Sequence, residues 1–207
     1  MSAPYVIGIT GGSGSGKTSL IRTLKSYFKD QSVGFLSQDD YYIPREQQVY
    51  DDKGVQNFDL PSSIDIEGFI KDIQKLITGE TVTRMEYVFN NEKATPKMLT
   101  FKPGKVIIVE GLFILHVPEL VELLDLSIFV HARDDQKISR RIVRDQIERN
   151  YPLEDVLYRY EHHVMPSYLN YILPYKDSAD LVINNNITYD HALAVINSFI
   201  ERKLTED

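Results

Sequence analysis

The sequence predicts a single α/β domain over residues 1–207, in which a parallel β-sheet is flanked by helices. The chain has 207 residues and 43% hydrophobic content, which suffices for one well-buried core and is short for two. Its apolar runs at residues 5–9, 33–37 and 106–109 are short and continuous, as in buried parallel strands. The first run leads directly into the pattern GxxxxGKT, which places a phosphate-binding loop between a strand and a helix. These observations together predict a P-loop NTPase-type fold.

Composition excludes several classes of protein and of site. No apolar run reaches the roughly 20 residues of a membrane-spanning helix, and the N-terminus lacks a signal-like apolar region, which predicts a cytoplasmic protein without a membrane partner. The absence of cysteine rules out disulfides, thiolate metal sites and a cysteine nucleophile. The net charge of -7 gives no reason to bind nucleic acid. The sequence leaves a homo-oligomer open.

The phosphate-binding loop follows the strand predicted at residues 5–9 and precedes a helix predicted at residues 19–28. Glycines let successive backbone N–H groups point at bound phosphates, and the start of the helix adds positive charge. Lys17 is expected at the β- and γ-phosphates of ATP, and the Thr18 hydroxyl at the Mg²⁺ ion that bridges them. The residues expected to bind ATP are Gly11, Gly12, Ser13, Gly14, Ser15, Gly16, Lys17 and Thr18.

The other motifs of GTPase switches and mechanical ATPases are missing from this sequence. Residues 51–54 read DDKG and nominally match DxxG, but they lie in a polar stretch and no NKxD motif follows. No LSGGQ-type signature is present. The sequence therefore favours a kinase of a small molecule, with a nucleotide-binding regulatory protein that has lost turnover as the alternative.

Carboxylates follow the second predicted strand, Val33–Ser37. Asp39 and Asp40 come directly after it, at the strand edge where open α/β sheets bind ligands. Phosphoryl transfer needs a carboxylate that orients the acceptor hydroxyl and takes its proton. Asp39 is the candidate for this role and for a contact with the metal. The alternative, an aspartate that only caps a turn, is favoured for Asp40.

A third predicted strand, at residues 106–109, stops at Glu110 and Gly111. A carboxylate just beyond a buried strand is costly without a partner and suits a magnesium ion held through its water shell. We therefore expect Glu110 on the metal side, with Thr18 opposite. Because glycine also suits a turn, a plain turn at the end of this strand is the alternative.

Residues 134–150 form a predicted helix whose arginines lie in one sector. Arg144 and Arg149 follow Arg141 by three and eight positions. Neighbouring acids make a salt-bridged surface helix the alternative. With a phosphate loop present, we expect a lid over about residues 133–152 whose arginines stabilise the transferred phosphoryl group. The apolar stripe of this helix comprises Ile138, Ile142, Val143 and Ile147.

A last strand at residues 180–183 and a closing helix at about residues 189–203 complete the predicted domain. Two adjacent histidines, His162 and His163, lack a third metal ligand at a suitable spacing, so structural or interface roles are expected for them. The closing-helix residues expected in the core are Leu193, Ile196 and Ile200.

Five motifs carry a resemblance to a known family. They are GGSGSGKT at 11–18, LSQDDYY at 36–42, NFDLPSSID at 57–65, VEG at 109–111 and SRRIVRD at 139–145. With this combination the sequence resembles, over nearly its whole length, the uridine kinase (uridine–cytidine kinase) family, of which phosphoribulokinase is a more distant relative. The resemblance implies ATP-dependent phosphorylation of a nucleoside 5′-hydroxyl, with uridine or cytidine as acceptor, a role in pyrimidine salvage and a β-hairpin at about residues 82–101.

The resemblance also implies roles for individual residues. The family's base toward the 5′-hydroxyl corresponds to Asp39, and its metal-side glutamate to Glu110. Tyr42 corresponds to a residue that lines the acceptor site, and Asp59 to one that binds the ribose hydroxyls. The lid arginines that embrace the phosphates in the family correspond to Arg141, Arg144 and Arg149.

The hairpin departs from the family pattern. The family supplies a tyrosine and a histidine from this hairpin to the pyrimidine ring, and Met85 and Asn90 are expected in their places at the substrate. The carboxamide of Asn90 can hydrogen-bond, whereas Met85 offers only an apolar surface, for which Tyr87 could compensate. Another nucleoside, nicotinamide riboside or a phosphosugar therefore stays open as acceptor beside uridine and cytidine.

Overall fold

The structure of the protein is a computed structural model that describes residues 3–29, 32–89 and 95–206. Five parallel strands form the main sheet, and two antiparallel strands form a hairpin. This architecture confirms the predicted fold class. The strands are β1 (Tyr5–Thr10), β2 (Val33–Ser37), β3 (Val82–Met85), β4 (Met98–Phe101), β5 (Val106–Glu110), β6 (Leu126–His131) and β7 (Leu181–Asn184).

Helices form most of the remaining described structure. The α-helices are α1 (Lys17–Tyr27), α2 (Ile66–Ile77), α3 (Pro118–Val121), α4 (Asp134–Ile147), α5 (Leu153–Arg159), α6 (Met165–Ser167) and α7 (Asp190–Thr205). The segment after α5 is wound as a π-helix at Tyr160–Val164 and again, after α6, at Tyr168–Ile172. Short 3₁₀ turns lie at Gln38–Tyr41, Arg45–Gln47, Pro61–Ser63 and Leu173–Tyr175. No helix in the described ranges combines the length and the apolar character that a membrane crossing requires.

The main sheet separates two hydrophobic clusters. On one face, α2 packs with Ile107 and Val109 of β5, and on the other face α1 and α7 pack with Val106 and Ile108 of the same strand. Successive side chains of a strand point to opposite faces, so burial on both faces explains why this strand is a continuous apolar run. The closing helix contributes the predicted core residues Leu193, Ile196 and Ile200 to the second cluster.

The strand order β2–β5–β1–β6–β7 brings separate parts of the sequence to one edge of the sheet. β5 lies between β1 and β2, with Glu110 aligned with Ile9 on one side and with Ser37 on the other. The carboxyl ends of these parallel strands therefore meet. The phosphate loop, the turn that contains Asp39, and Glu110 thus become neighbours, as the sequence predicts.

The strands β3 and β4 form a hairpin at the predicted position. Val82 pairs with Phe101, and both side chains are buried in the cluster that contains α2. Arg84 fixes the hairpin to the turn after β2, because its Nε donates to the Asp40 carbonyl at 2.7 Å and its guanidinium lies 3.8 Å from the centre of the Tyr41 ring. The hairpin is thereby held at the carboxyl edge of the main sheet.

Helix α4 does not pack through its apolar stripe. Val143 and Ile147 of that stripe are 55% and 77% exposed. The helix lies against the phosphate loop, where the Lys137 carbonyl closely approaches Gly14, so its inner face meets polar backbone instead of a hydrophobic core. The other two stripe residues, Ile138 and Ile142, are half-buried, so the stripe does not coincide with the most buried face of this helix. The buried residues of α4 are Lys137, Arg141 and Asp145.

We predict that Ile108→Ala lowers the free energy of unfolding by about 2–5 kcal/mol, because Ile108 is 1% exposed in a central strand and its removal leaves a cavity. Urea unfolding followed by circular dichroism measures the change. The matched control is Val182→Ala on the edge strand β7, where the side chain is 40% exposed and the expected loss is below about 0.5 kcal/mol. Equal losses for the two variants would contradict the assignment of β5 to the core.

Candidate active site

A cavity of about 570 Å³ opens at the carboxyl edge of the main sheet. Its size is in the range of small-molecule sites. Three groups of side chains line it: the phosphate loop with nearby carboxylates, the arginines of α4 and of the chain after it, and an aromatic group from the hairpin and from the loop before α2. Most residues expected to act on a nucleotide or on an acceptor therefore share one cavity.

The glycines of the phosphate loop are required by its conformation. Gly11, Gly14 and Gly16 have φ angles of 150°, 79° and 104°, a region that residues with a Cβ rarely adopt. A Cβ at Gly14 would collide with the Lys137 carbonyl, and one at Gly16 with the Asn185 side chain. The loop is thus wound tightly and packed on its outer side.

Lys17 begins α1 and is folded over the phosphate loop. Its Nζ donates to the carbonyls of Gly11 at 2.7 Å and Gly12 at 3.3 Å. Burial is the strongest influence on the Lys17 pKa and lowers it, whereas the carboxylates of Glu110 and Asp39 act in the opposite direction. The two carbonyls therefore hold the ammonium group over the loop, and both carboxylates are near enough to act on its pKa.

The carboxylates Asp39 and Glu110 lie on the cavity lining together with the exposed Thr18. The Ser37 hydroxyl donates to Glu110 Oε1 at 2.5 Å. Burial and the charge of Asp39 raise the pKa of Glu110 to about 7, although Lys17 opposes this. A divalent cation beside these two acids would relieve their repulsion.

This donor set fits Mg²⁺, which takes oxygen ligands. Thr18 offers a hydroxyl, and Asp39 and Glu110 offer carboxylate oxygens. In the part of the chain that the structure describes, no three acidic or histidine side chains are close enough to form a metal site by themselves. An Mg²⁺ ion held by these residues would have few protein ligands, as is usual for Mg²⁺ that binds together with a nucleotide.

Asp145 organises the arginines of α4. Its carboxylate lies 3.0 Å from Arg141 Nε and 2.8 Å from Arg144 Nε, and 3.5 Å from a terminal nitrogen of Arg149. Burial would raise the pKa of Asp145, but Arg144 and Arg141 together hold it below its ordinary value. Arg141 and Arg144 also donate to the Ser13 hydroxyl, at 2.9 and 3.4 Å. Helix α4 is therefore salt-bridged, as in the alternative prediction, and the same arginines also contact the phosphate loop at Ser13.

The motif SRRIVRD at residues 139–145 does not by itself reveal the role of Asp145. A signal is present in the sequence, because Asp145 follows Arg141 by four positions and precedes Arg149 by four, a spacing that places ion pairs on one helix face. The side chain is 2% exposed, so its negative charge is shielded from solvent and acts on the arginines. It offsets the mutual repulsion of three arginines in a small volume.

The aromatic group surrounds Tyr42. Ring centroids lie 5.3 Å away at Tyr87, 5.1 Å at Phe89 and 6.3 Å at Phe58. Asp59, next to Phe58, is 8% exposed. The structure therefore brings Tyr42 and Asp59 together on one cavity and adds three aromatic residues to them, of which Phe58 and Phe89 were not foreseen from the sequence.

Met85 does not lie where it was expected. It is 51% exposed, pairs with Met98 in the hairpin and is not on the cavity lining, whereas Tyr87 is. The reason is strand alternation, since Met85 shares the exposed face of β3 with Thr83 while Val82 packs inward. Asn90 lies outside the described residues. Residues 86–89, which follow β3, line the cavity, whereas β3 itself does not.

Comparison with known proteins places this site in context. Residues 6–192 match the model of the phosphoribulokinase/uridine kinase family. A uridine kinase of Streptococcus agalactiae serotype V is 34% identical over 203 residues, which cover 98% of this chain and 97% of the relative. A uridine kinase of Oceanobacillus iheyensis is 35% identical over 98% of this chain and 96% of its own length. The phosphoribulokinase of Rhodobacter spheroides shares the fold, with a TM-score of 0.61 at 16% identity over 88% of this chain and 70% of that chain.

We predict that Asp145→Asn lowers the free energy of unfolding by about 3–5 kcal/mol near neutral pH, because it leaves three arginines clustered without their carboxylate. The folded-state pKa of Asp145 is depressed, so its stabilisation is present above the unfolded-state pKa and is lost as the pH falls. The difference between the natural protein and the variant should therefore shrink in acid. Urea unfolding at neutral and acidic pH measures it.

The control for this prediction is Asp135→Asn on the same helix. Asp135 pairs with Arg133 at 2.9 Å, but both side chains are 62% exposed, and such an exposed pair contributes little to stability. A loss for Asp145→Asn no larger than for Asp135→Asn would show that the buried carboxylate does not hold the arginine cluster.

Proposed function

The chain belongs to the phosphoribulokinase/uridine kinase family and is a phosphotransferase that acts on an alcohol group, and from this premise we propose that it transfers the γ-phosphoryl group of ATP to the 5′-hydroxyl of a nucleoside. Uridine and cytidine are the proposed acceptors. The main support for the proposal is one cavity with two kinds of lining. A phosphate loop and two carboxylates line one part of it, and Asp59 and an aromatic group line another. The names of the relatives, uridine kinase, support it.

The proposed chemistry divides the cavity between two substrates. Lys17 and the backbone of the phosphate loop hold the triphosphate, and Asp39 orients the acceptor hydroxyl and accepts its proton. Arg141, Arg144 and Arg149 stabilise the charge that develops on the transferred phosphoryl group. Because the arginines are already ordered around Asp145, little reorganisation is needed when that charge develops.

Mg²⁺ is the proposed metal, with Thr18, Glu110 and Asp39 as the protein groups that would hold it. When bound, it neutralises charge on the β- and γ-phosphates. The residues of the chain perform the remaining tasks. Glu110 is kept near the phosphate loop by the Ser37 hydroxyl, and Lys17 lies close enough to lower the Glu110 pKa. We also propose the cytoplasm as the location and residues 1–207 as one catalytic domain.

The acceptor side favours a nucleoside over a phosphosugar. Flat aromatic side chains at Tyr42, Phe58, Tyr87 and Phe89 offer stacking surfaces, which suit a base and have no partner on a sugar phosphate. Asp59 lies beside them and would accept hydrogen bonds from ribose hydroxyls. Residues 133–152 would act as the lid, since α4 already lies over the phosphate loop and needs only a small movement to exclude water.

We predict that Asp39→Asn lowers kcat by about a hundredfold to ten-thousandfold, because the amide cannot accept the proton of the acceptor hydroxyl. The measurement is acceptor-dependent ADP formation from Mg-ATP with uridine, cytidine, other nucleosides, nicotinamide riboside and phosphosugars. The natural protein should turn over uridine or cytidine. Turnover only with another acceptor would keep the mechanism and replace the substrate, and no turnover with any acceptor would support a regulatory protein instead.

The matched control for this measurement is Asp40→Asn. Asp40 is the next residue, and burial raises its pKa to about 6. It does not lie on the cavity lining, in contrast to Asp39. We expect a small effect on kcat, and a loss equal to that of Asp39→Asn would remove Asp39 from its proposed role.

We also predict that Tyr87→Ala raises KM for a nucleoside roughly tenfold, because a stacking surface on the cavity is lost. Met85→Ala, two residues earlier and 51% exposed, should leave KM within about twofold. Steady-state kinetics with uridine as the varied substrate compares the two variants. A larger effect at Met85 would mean that β3 itself faces the acceptor.

A further inference from the structure

Residues 43–63 form a long loop, here called the acceptor loop, that contributes Phe58 and Asp59 to the cavity. Its ends are joined by an antiparallel bridge between Tyr42 and Ile64. The position of this loop therefore decides where the ring and the ribose of an acceptor would be held. Loops of this length in a compact domain need contacts of their own to adopt one conformation.

Asp51 organises the tip of the acceptor loop. Its Oδ1 accepts hydrogen bonds from the backbone N–H groups of Lys53 at 2.9 Å and Val55 at 2.8 Å. Tyr50 and Gln56, which flank this turn, form a second antiparallel bridge. One oxygen of Asp51 is thus used inside the loop, and the tip is a compact turn.

The other oxygen of Asp51 joins the loop to a helical segment. Oδ2 accepts from the Tyr158 hydroxyl at 2.7 Å and lies 2.8 Å from His163 Nε2. An ionised carboxylate only accepts, so His163 Nε2 is the donor. Burial would raise the pKa of Asp51, but hydrogen bonds from Val55, Tyr158, His163 and Lys53 hold it below its ordinary value. The His163 side chain is 1% exposed, which makes this a contact of the protein interior.

The winding of the helical segment brings both donors to the same oxygen. Tyr158 and His163 are five positions apart, and in a regular α-helix that separation turns two side chains about 140° away from each other. The turn at Tyr160–Val164 is π-helical, a winding in which hydrogen bonds join residues five apart. The two rings are accordingly 5.9 Å apart and face the same side. π-helical turns often occur at functional sites.

A second contact joins the same helix to the loop nearer the acceptor. A terminal nitrogen of Arg159 donates to the Gln56 carbonyl at 2.6 Å. Between that point and the cavity, Asn57 Oδ1 accepts from the backbone N–H of Asp59 at 2.9 Å. The helix that follows α4 therefore supports the loop at its tip and at a point three residues before Asp59.

Asp51 itself does not line the cavity. Any effect on the reaction must therefore act through the loop. Asp51 contacts α5 and its π-helical continuation. Helix α5 in turn packs against α4, which carries Arg141 and Arg144. The acceptor loop and the arginine helix thus share one support.

We propose that Asp51 is a positioning residue for the acceptor, which clamps the acceptor loop to Tyr158 and His163 and so fixes Phe58 and Asp59 relative to the arginines of α4. This inference rests on the proposed function, since it presumes an acceptor bound beside Asp59. The clamp acts on acceptor binding and leaves the phosphate loop untouched, because none of its members belongs to residues 11–18.

The test compares Asp51→Asn and Tyr158→Phe with the natural protein in steady-state kinetics. Asp51→Asn keeps the shape of the side chain and removes its charge, so the His163 donor loses its partner. We expect KM for uridine to rise about tenfold, the effect of losing one charge-assisted hydrogen bond, with KM for ATP unchanged. Tyr158→Phe removes one hydroxyl and leaves the ring contacts, and a rise of about threefold is expected.

The matched control is Asp180→Asn. The Asp180 carboxylate accepts from the backbone N–H of Ser127 at 2.8 Å and from its hydroxyl at 2.6 Å, so it is a structural acid of the same kind away from the cavity. Thermal unfolding of all variants identifies plain destabilisation. A rise in the uridine KM that is as large for Asp180→Asn as for Asp51→Asn overturns the proposal, as does a fall in kcat without a change in that KM. If Asp51→Asn does not fold, the Tyr158→Phe result decides.

Hydrogen exchange separates failure of the clamp from failure of the proposed function. In Asp51→Asn, amides of residues 49–59 should exchange at least about tenfold faster, while those of β5 should not change. Unchanged exchange at residues 49–59 overturns the clamp whatever the substrate. No turnover of any acceptor by the natural protein, combined with faster exchange in the variant, would overturn the proposed function and leave the clamp as a structural device.

Discussion

The close packing of helix α4 on the phosphate loop is the constraint on which the rest of the site depends. Gly14 leaves no room for a side chain because the Lys137 carbonyl lies against it, and Gly16 leaves none because of Asn185. The amide of Asn185 donates to the Ser15 carbonyl at 2.9 Å, which ties the end of β7 to the same loop. A loop built from backbone N–H groups for phosphates can be covered only by polar partners, so the helix above it must turn a charged face inward.

That arrangement buries charged side chains, and ion pairs between them offset the cost of their burial. The arginines that face the phosphate loop are held together by Asp145, whose side chain is 2% exposed. Beside the loop lie the acids Asp39 and Glu110, where burial and the charge of Asp39 raise the pKa of Glu110 while Lys17 lowers it. Opposite charge thus lies close to each group of like charges, and on the arginine side Asp59 Oδ1 also lies 3.6 Å from a terminal nitrogen of Arg141.

The proposed acceptor side of the cavity is mainly aromatic, in contrast to the charged side at the phosphate loop. It consists of aromatic surfaces around Tyr42 and a carboxylate at Asp59, positioned by a hairpin and a loop that are not part of the main sheet. Arg84 holds the hairpin to the turn after β2, and Asp51 holds the loop to the helix after α4. Neither of these two contacts involves residues 11–18 of the phosphate loop.

The sequence by itself determined the phosphate loop, the parallel sheet and the residues Asp39 and Glu110 at its carboxyl edge, because these depend on local patterns: a glycine motif and short apolar runs that end in acids. The sequence did not determine which face of α4 packs inward. The apolar residues Val143 and Ile147 are exposed, because the helix lies on the polar phosphate loop and turns charged residues toward it. The sequence also led us to expect Met85 at the substrate. The pleat of β3 instead places Met85 on the exposed face of the strand, off the cavity lining. The clamp at Asp51 joins residues more than a hundred positions apart. Only the folded chain could decide such contacts, because they depend on how separate elements approach each other and not on any local pattern.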